Sequence, residues 1–212
     1  MNEMIFIPHI GVDESGKGDF FGPLIVAGVC VTNETKKYFI DLGIKDSKKL
    51  SDRDILELAG QIKSKSVFSV ITINPLKYNE LYLKLNNLNR LLAWGHARAI
   101  ENVLDKYPCE YAISDKFADE SLIQKALMKQ GQKIVLEQKI KAESDIAVAA
   151  ASVVARACFV QKIEEMSYKY NMTFPKGASH NVKEAGKFFV SKFGKENLKY
   201  VAKLHFKTTL EL

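Results

Sequence analysis

Short apolar and β-branched runs alternate along the chain with longer segments of helical period, a pattern that predicts a layered α/β domain. Strands are expected over residues 5–12, 22–32 and 66–73, with shorter ones over 110–114 and 133–138; a glycine-rich turn joins the first two. A helix over residues 51–63 starts on Ser51 and Asp52 as caps and carries Ile55, Leu58, Ala59 and Ile62 on one face. The same period returns over 89–107 with Leu92, Ala99, Ile100, Val103 and Leu104, and stops at Pro108. A long helix is expected from 142 to about 170. Its first half, DIAVAAASVVARA, is apolar or small on nearly every side, which requires burial against the sheet; from Arg156 onward it becomes amphipathic. A basic helix over 181–193 bears Val182, Ala185, Phe189 and Phe193 on one face, and a helical segment over 199–209 closes the chain. No repeat or long linker intervenes, so residues 1–212 read as one domain with a helical C-terminal region over about 171–212.

Composition narrows the class without naming a function. With 212 residues, 47% of them hydrophobic, and only 12 Gly and 5 Pro, the chain can bury an ordinary core, which excludes stapled mini-scaffolds, collagenous chains and disordered ones. A net charge of +6 favours polyanionic partners only weakly. Cys30, Cys109 and Cys158 have no C-x-x-C spacing and read as reduced core residues. The N-terminus lacks the basic and apolar regions of a signal peptide, and the longest apolar run, 146–154, is half of the roughly 18 residues that a membrane span needs. A cytoplasmic setting without membrane contact is the expectation.

Candidate chemistry begins at residues 11–23, GVDESGKGDFFGP. An apolar strand delivers two adjacent carboxylates, Asp13 and Glu14, into a loop containing Gly16, Gly18 and Gly22. Taken alone, an Asp-Glu pair is most simply a solvated strand end. Asp115, however, ends a second apolar strand, and Glu143 opens the most buried helix, where helix-dipole stabilisation is the competing role. Strand-end acids gathered from distant segments, without Cys or His at ligand spacing, describe a hard-cation site for Mg²⁺ or Mn²⁺ and suit phosphoryl chemistry. Gly16-Lys17-Gly18 lets the backbone approach a ligand closely, yet it is neither a dinucleotide fingerprint nor a P-loop. Basic residues gather over 45–49 and 176–195; such runs are commonly solvated faces, but flanking the acids they would hold a polyanion. His9, His96, His180 and His205 show no ligand spacing, and His9 and His96 read as hydrogen-bonded core or boundary residues.

GVDESGKGDFFGP, KDSKKLSD, LNRLLAWGHARAIENVL, ISDKFA, KAESDIAVAAASVVAR, FPKGAS and KLHFKTT resemble, in that order and over about residues 9–209, the prokaryotic ribonuclease HIII family, a branch of the type 2 ribonucleases H. The resemblance implies a ribonuclease H-like fold, a mixed β-sheet flanked by α-helices with C-terminal helices. It implies an endonuclease that hydrolyses the RNA strand of RNA/DNA hybrids with two divalent ions, Mg²⁺ or Mn²⁺, leaving 5′-phosphate and 3′-hydroxyl ends. The family's four metal ligands fall on Asp13, Glu14, Asp115 and Glu143, with Asp145 as a substitute for the last, where ribonuclease HII usually has Asp. Ser15, Gly16, Lys17 and Gly18 match the loop that reads the 2′-hydroxyl, and Lys48, Ser152 and Arg156 join Lys17 as phosphate contacts. The junction-recognising tyrosine of ribonuclease HII has no counterpart in PKGASHNV. Only about ten residues precede the first catalytic strand, so a short form without the family's N-terminal TATA-binding-protein-like domain is expected, acting as a monomer. The alternative readings are cleavage at single embedded ribonucleotides and RNA–DNA junctions, a hybrid-binding module without turnover, and a phosphatase using the same acids.

Overall fold

The computed structural model describes residues 6–44, 50–117, 119 and 121–212. Strands β1 (His9–Ser15), β2 (Leu24–Val31), β3 (Phe68–Ile73), β4 (Tyr111–Asp115) and β5 (Val135–Lys139) form one sheet in the order β3-β2-β1-β4-β5. β1 pairs antiparallel with β2 and parallel with β4, so the sheet is mixed and β1 lies at its centre. Helices α2 (Asp52–Lys65), α6 (Ile146–Tyr170) and α7 (His180–Phe193) pack with one face of the sheet, and α4 (Leu88–Leu104) with the other. These elements match the strands and helices expected from the pattern to within a few residues. Three further helices, α1 (Asn33–Asp41), α3 (Pro75–Leu85) and α5 (Ser121–Ala126), are additions. The start of α3 was signalled by Asn74-Pro75: the Asn74 side chain accepts from Lys77 N, and Pro75 occupies the first helical position.

β1 departs from expectation in a way that matters for chemistry. It starts at His9, after Pro8, which has no N–H to donate, and continues through Glu14 to Ser15 because β2 supplies Ala27, Val26 and Ile25 as partners. Asp13 and Glu14 are therefore strand residues rather than loop residues.

α6 is 25 residues long and apolar enough to cross a bilayer, but 72% of its most apolar window is buried inside the protein. It lies directly on β1. A Cβ at Gly11 would stand 2.0 Å from Ala147 C and 2.1 Å from Val148 N, so the helix backbone touches the strand there, and the small residues of α6 permit that approach. The C-terminal segment returns to the turn between β1 and β2. The fully buried Lys203 donates to the carbonyls of Asp19 (2.8 Å) and Gly22 (2.7 Å), and Gly177 N donates to Asp19 Oδ1 at 2.6 Å. Burial pushes the Lys203 ammonium down to about 7. The glycine loop is thereby clamped by a segment almost two hundred residues further along the chain.

Candidate active site

The register of the sheet sets the geometry of the acids. Val12 pairs with Ser114 across the parallel β1–β4 contact, so Asp13 and Asp115, one residue on, stand level on neighbouring strands. Successive side chains in a strand point to opposite faces. Asp13 points toward α6, where the Ser152 hydroxyl hydrogen-bonds its carboxylate. Glu14 points toward α4, where its Oε2 accepts from His96 Nε2 at 3.0 Å. Asp115 lies on the Asp13 side and accepts from Ala142 N at 3.0 Å, which brings the 3-10 turn Ala142–Ser144, with Glu143 at its centre, against the end of β4. Asp13, Asp115 and the Glu143 turn thus share one face, and Glu14 reaches the sheet end from the other.

Each of these acids has protein partners. Asp13 Oδ1 accepts from Glu14 N at 2.8 Å, and Glu14 Oε1 stands 3.3 Å from Lys17 Nζ. Burial, reinforced by the neighbouring Glu14 charge, pushes the Asp13 carboxyl up to about 7. Burial works against ionised Glu14 too, but the His96 and Lys17 contacts outweigh it and hold its pKa below the ordinary value. Among the described residues no three His, Cys, Asp or Glu side chains converge closely enough to enclose an ion as they stand. The donors nonetheless fit one chemically. They are all carboxylate oxygens, and half-buried Asp13 has Glu14 as its charged neighbour, so a hard dication would offset the desolvation and repulsion that raise its pKa.

The other expected residues are distributed unevenly. Ser15 ends β1, Gly16 is buried at φ +88° with its Cβ position 2.3 Å from Pro23 O, and Gly18 is exposed, so the turn presents backbone to solvent at Gly18. Lys17 Nζ lies over the Phe117 ring at 5.7 Å, beside Glu14. Arg156 donates to Leu50 O at 2.9 Å and lies 3.5 Å from Asp52 Oδ1, which ties it to the start of α2. Lys48, with the rest of the run 45–49, lies outside the described residues. In the second basic run, Lys176 pairs with Asp52, Lys183 with Glu211 and Lys187 with Glu184, as solvated charge runs commonly do. His180, Lys183 and Lys207 line a cavity of about 440 Å³ whose wall includes Phe206, the ring packed on Phe20 of the glycine loop.

Asp145, the substitute expected for Glu143, lies at the start of α6. Its carboxylate caps α6 by accepting from Ala147 N and Val148 N and is held by His9 Nε2 at 3.0 Å. The residue the sequence reading passed over is His96. It was assigned to the core, and it is buried there, but its partner is one of the acids. The available signal was a titratable side chain on the buried stripe of α4, between Leu92 and Ala99, where it needs a polar partner.

A mixed sheet in this order, with helices on both faces and carboxylates at the ends of its central parallel strands, is the ribonuclease H-like fold. The crystal structure of Bst-RNase HIII in complex with Mn²⁺ superimposes with a TM-score of 0.90 at 32% identity, covering 97% of this chain and 68% of that one. The chain matches the ribonuclease HII family over residues 10–209. It is 47% identical over 201 residues to ribonuclease HIII of Protochlamydia amoebophila and 49% over 208 residues to that of Chlamydia abortus, covering 95% and 97% of this chain but 67% and 69% of those proteins. The chain belongs to the ribonuclease HII family and, within it, to the ribonuclease HIII branch, which makes it a ribonuclease H, an endonucleolytic hydrolase. It spans about two thirds of the length of the relatives it matches.

Proposed function

We propose that this ribonuclease H cuts the RNA strand of RNA/DNA hybrids with two divalent cations, Mg²⁺ or Mn²⁺, held by Asp13, Glu14, Asp115 and Glu143, leaving 5′-phosphate and 3′-hydroxyl ends. The observation that carries the reading is the level placement of Asp13 and Asp115 on adjacent parallel strands, with Glu14 and the Glu143 turn beside them. Bound there, the ions supply Lewis acidity at the scissile phosphate and a water of lowered pKa. The chain's own residues do the rest. Asp13 would hold a cation through its carboxylate, which the Ser152 hydroxyl keeps oriented. Backbone groups of Gly16 to Gly18 meet the 2′-hydroxyls that distinguish RNA from DNA, on a loop braced by Lys203. Lys17, Lys48 and Arg156 contact phosphates, which requires Arg156 to share itself with Asp52. A cytoplasmic, reducing setting belongs to the same reading and agrees with the three free thiols.

The test offers a hybrid duplex and a DNA duplex carrying one ribonucleotide in parallel, with Mg²⁺ or Mn²⁺. Metal-dependent cuts along the hybrid, abolished by chelator, are expected. Preference for the single ribonucleotide would reassign the substrate, and turnover insensitive to chelator would remove the metals.

A further inference from the structure

His96 is wholly shielded from solvent on the inner stripe of α4. Leaving a buried polar group unpaired costs about 1–3 kcal/mol, so both ring nitrogens need partners. Both have them, and each partner belongs to a strand that carries a candidate ligand. Nε2 stands 3.0 Å from Glu14 Oε2 on β1, and Nδ1 stands 2.9 Å from Ser114 Oγ on β4. The Ser114 hydroxyl also lies 3.0 Å from the main-chain carbonyl of Asp115. The contacts therefore run from the Glu14 carboxylate through imidazole and hydroxyl to the backbone of Asp115. An ionised carboxylate only accepts, so Nε2 carries the proton in its bond to Glu14. Phe117 packs against the ring with centroids 4.9 Å apart.

We propose that His96 is a positioning residue for the metal-binding acids, fixing the Glu14 carboxylate and coupling it to β4 so that Glu14 and Asp115 meet a cation in a set geometry. The proposal rests on the assignment of Glu14 and Asp115 as ligands. Its physical basis is the alternation of β1. Glu14 leaves the strand on the face opposite Asp13 and must reach around the sheet end, and a glutamate free to rotate would lose side-chain entropy each time it bound an ion. Anchoring Oε2 on a buried ring removes most of that freedom beforehand. Oε1 is left facing Lys17 Nζ at 3.3 Å, an ammonium on a side chain 39% exposed, and a cation can take its place.

The experiment uses the full chain with His96→Leu, His96→Gln and Asp13→Asn. Mn²⁺ binding is measured directly from the electron paramagnetic resonance signal of the free ion, and hybrid cleavage is followed as a function of Mn²⁺. His96→Leu should bind Mn²⁺ about 10–100-fold more weakly, the usual cost of losing a group that orients a ligand, while the KM for hybrid at saturating Mn²⁺ stays near wild type. His96→Gln keeps an N–H able to reach Glu14 and should recover most of the affinity. A folded His96→Leu with wild-type Mn²⁺ affinity overturns the proposal, and so does a His96→Gln no better than His96→Leu. If His96→Leu fails to fold by circular dichroism, Ser114→Ala tests the link from its other end: a few-fold weaker Mn²⁺ binding is expected, and unchanged affinity refutes it. Asp13→Asn separates the two levels of the argument. If it retains wild-type Mn²⁺ binding the ligand assignment fails, whereas if it loses binding while His96→Leu does not, only the positioning role fails.

Discussion

Two histidine–carboxylate contacts of equal length are built from opposite ends of β1. His9, at the start of the strand, places Nε2 3.0 Å from both carboxylate oxygens of Asp145, and Glu14, near its end, receives His96 Nε2 at 3.0 Å. What separates them is what else each acid faces. Asp145 also takes Ala147 N at 2.9 Å and Val148 N at 3.1 Å, both on Oδ1, so its backbone contacts cap a buried helix. Glu14 has an oxygen facing a half-exposed lysine that an ion can displace. Glu101 extends the first case: this buried carboxylate accepts from the backbone of Met128 (2.7 Å), Gln130 (3.3 Å) and Gly131 (2.8 Å) and braces a loop. Burial and hydrogen bonding do not by themselves mark a site in this protein; what sets the proposed ligand Glu14 apart is an oxygen facing an exchangeable lysine.

The comparison can be broken at either end of β1. The largest effect is expected at the chemical end. Asp13→Asn should lower turnover about 10³-fold or more, since an ion contributes several kcal/mol to the transition state, while the melting temperature in chelator stays at or above wild type because a repelled, half-buried carboxylate has been removed. Full turnover would end the distinction drawn here. In the middle of the strand, Gly11→Ala should cost about 3 kcal/mol in denaturant unfolding, because the new methyl meets the α6 backbone at 2.0 Å. A near-neutral result would mean that α6 does not sit on β1 as described.

At the structural end the effect is smaller and depends on pH. Burial lowers the His9 pKa, but the hydrogen bond and charge of Asp145 outweigh it, so the net shift is upward. A histidine raised in the folded state contributes stability that is fully present below its unfolded pKa, about 6.5, and fades as pH rises through the higher folded value. His9→Phe should therefore cost about 2 kcal/mol at pH 5.5 and less at pH 8.5, with metal affinity unchanged. A loss of Mn²⁺ binding in this variant would show that the two ends are not separate. The smallest effect belongs to Lys17→Ala. It should leave Mn²⁺ affinity equal or a few-fold higher, and should reduce the slope of log hybrid affinity against log salt by about one, the signature of one lost phosphate contact.

Much of the architecture was legible because periodicity reports burial. The apolar DIAVAAASVVARA could only be a core helix, and Ile55, Leu58, Ala59 and Ile62 all turn inward as the helical period required. The acids were legible by type and by their position at the ends of apolar strands. Their division of labour was not. Asp145 and Glu143 differ by two residues, and only the tertiary structure shows that Asp145 caps α6 and meets His9 while Glu143 sits in the turn against the end of β4. The roles of Lys203 and His96 were not legible because their partners lie far away in sequence: Asp19, Phe21 and Gly22 for the lysine, Glu14 and Ser114 for the histidine, whose place on a buried stripe signalled a need for a polar partner but not which one.

The sequence by itself determined the class of fold, the carboxylates proposed as donors and the family, since hydrophobic period, carboxylate placement and ordered motifs are local properties that survive without coordinates. The tertiary structure decided how far β1 runs, and through that which way its acids face. Strand pairing with β2 carries β1 through Glu14, and the alternation of a strand then sends Asp13 toward α6 and Glu14 toward α4. Whether two adjacent acids share a face depends on the backbone they sit in. Long-range pairing fixes that backbone here, and it brings a histidine from the opposite helix onto one of those acids.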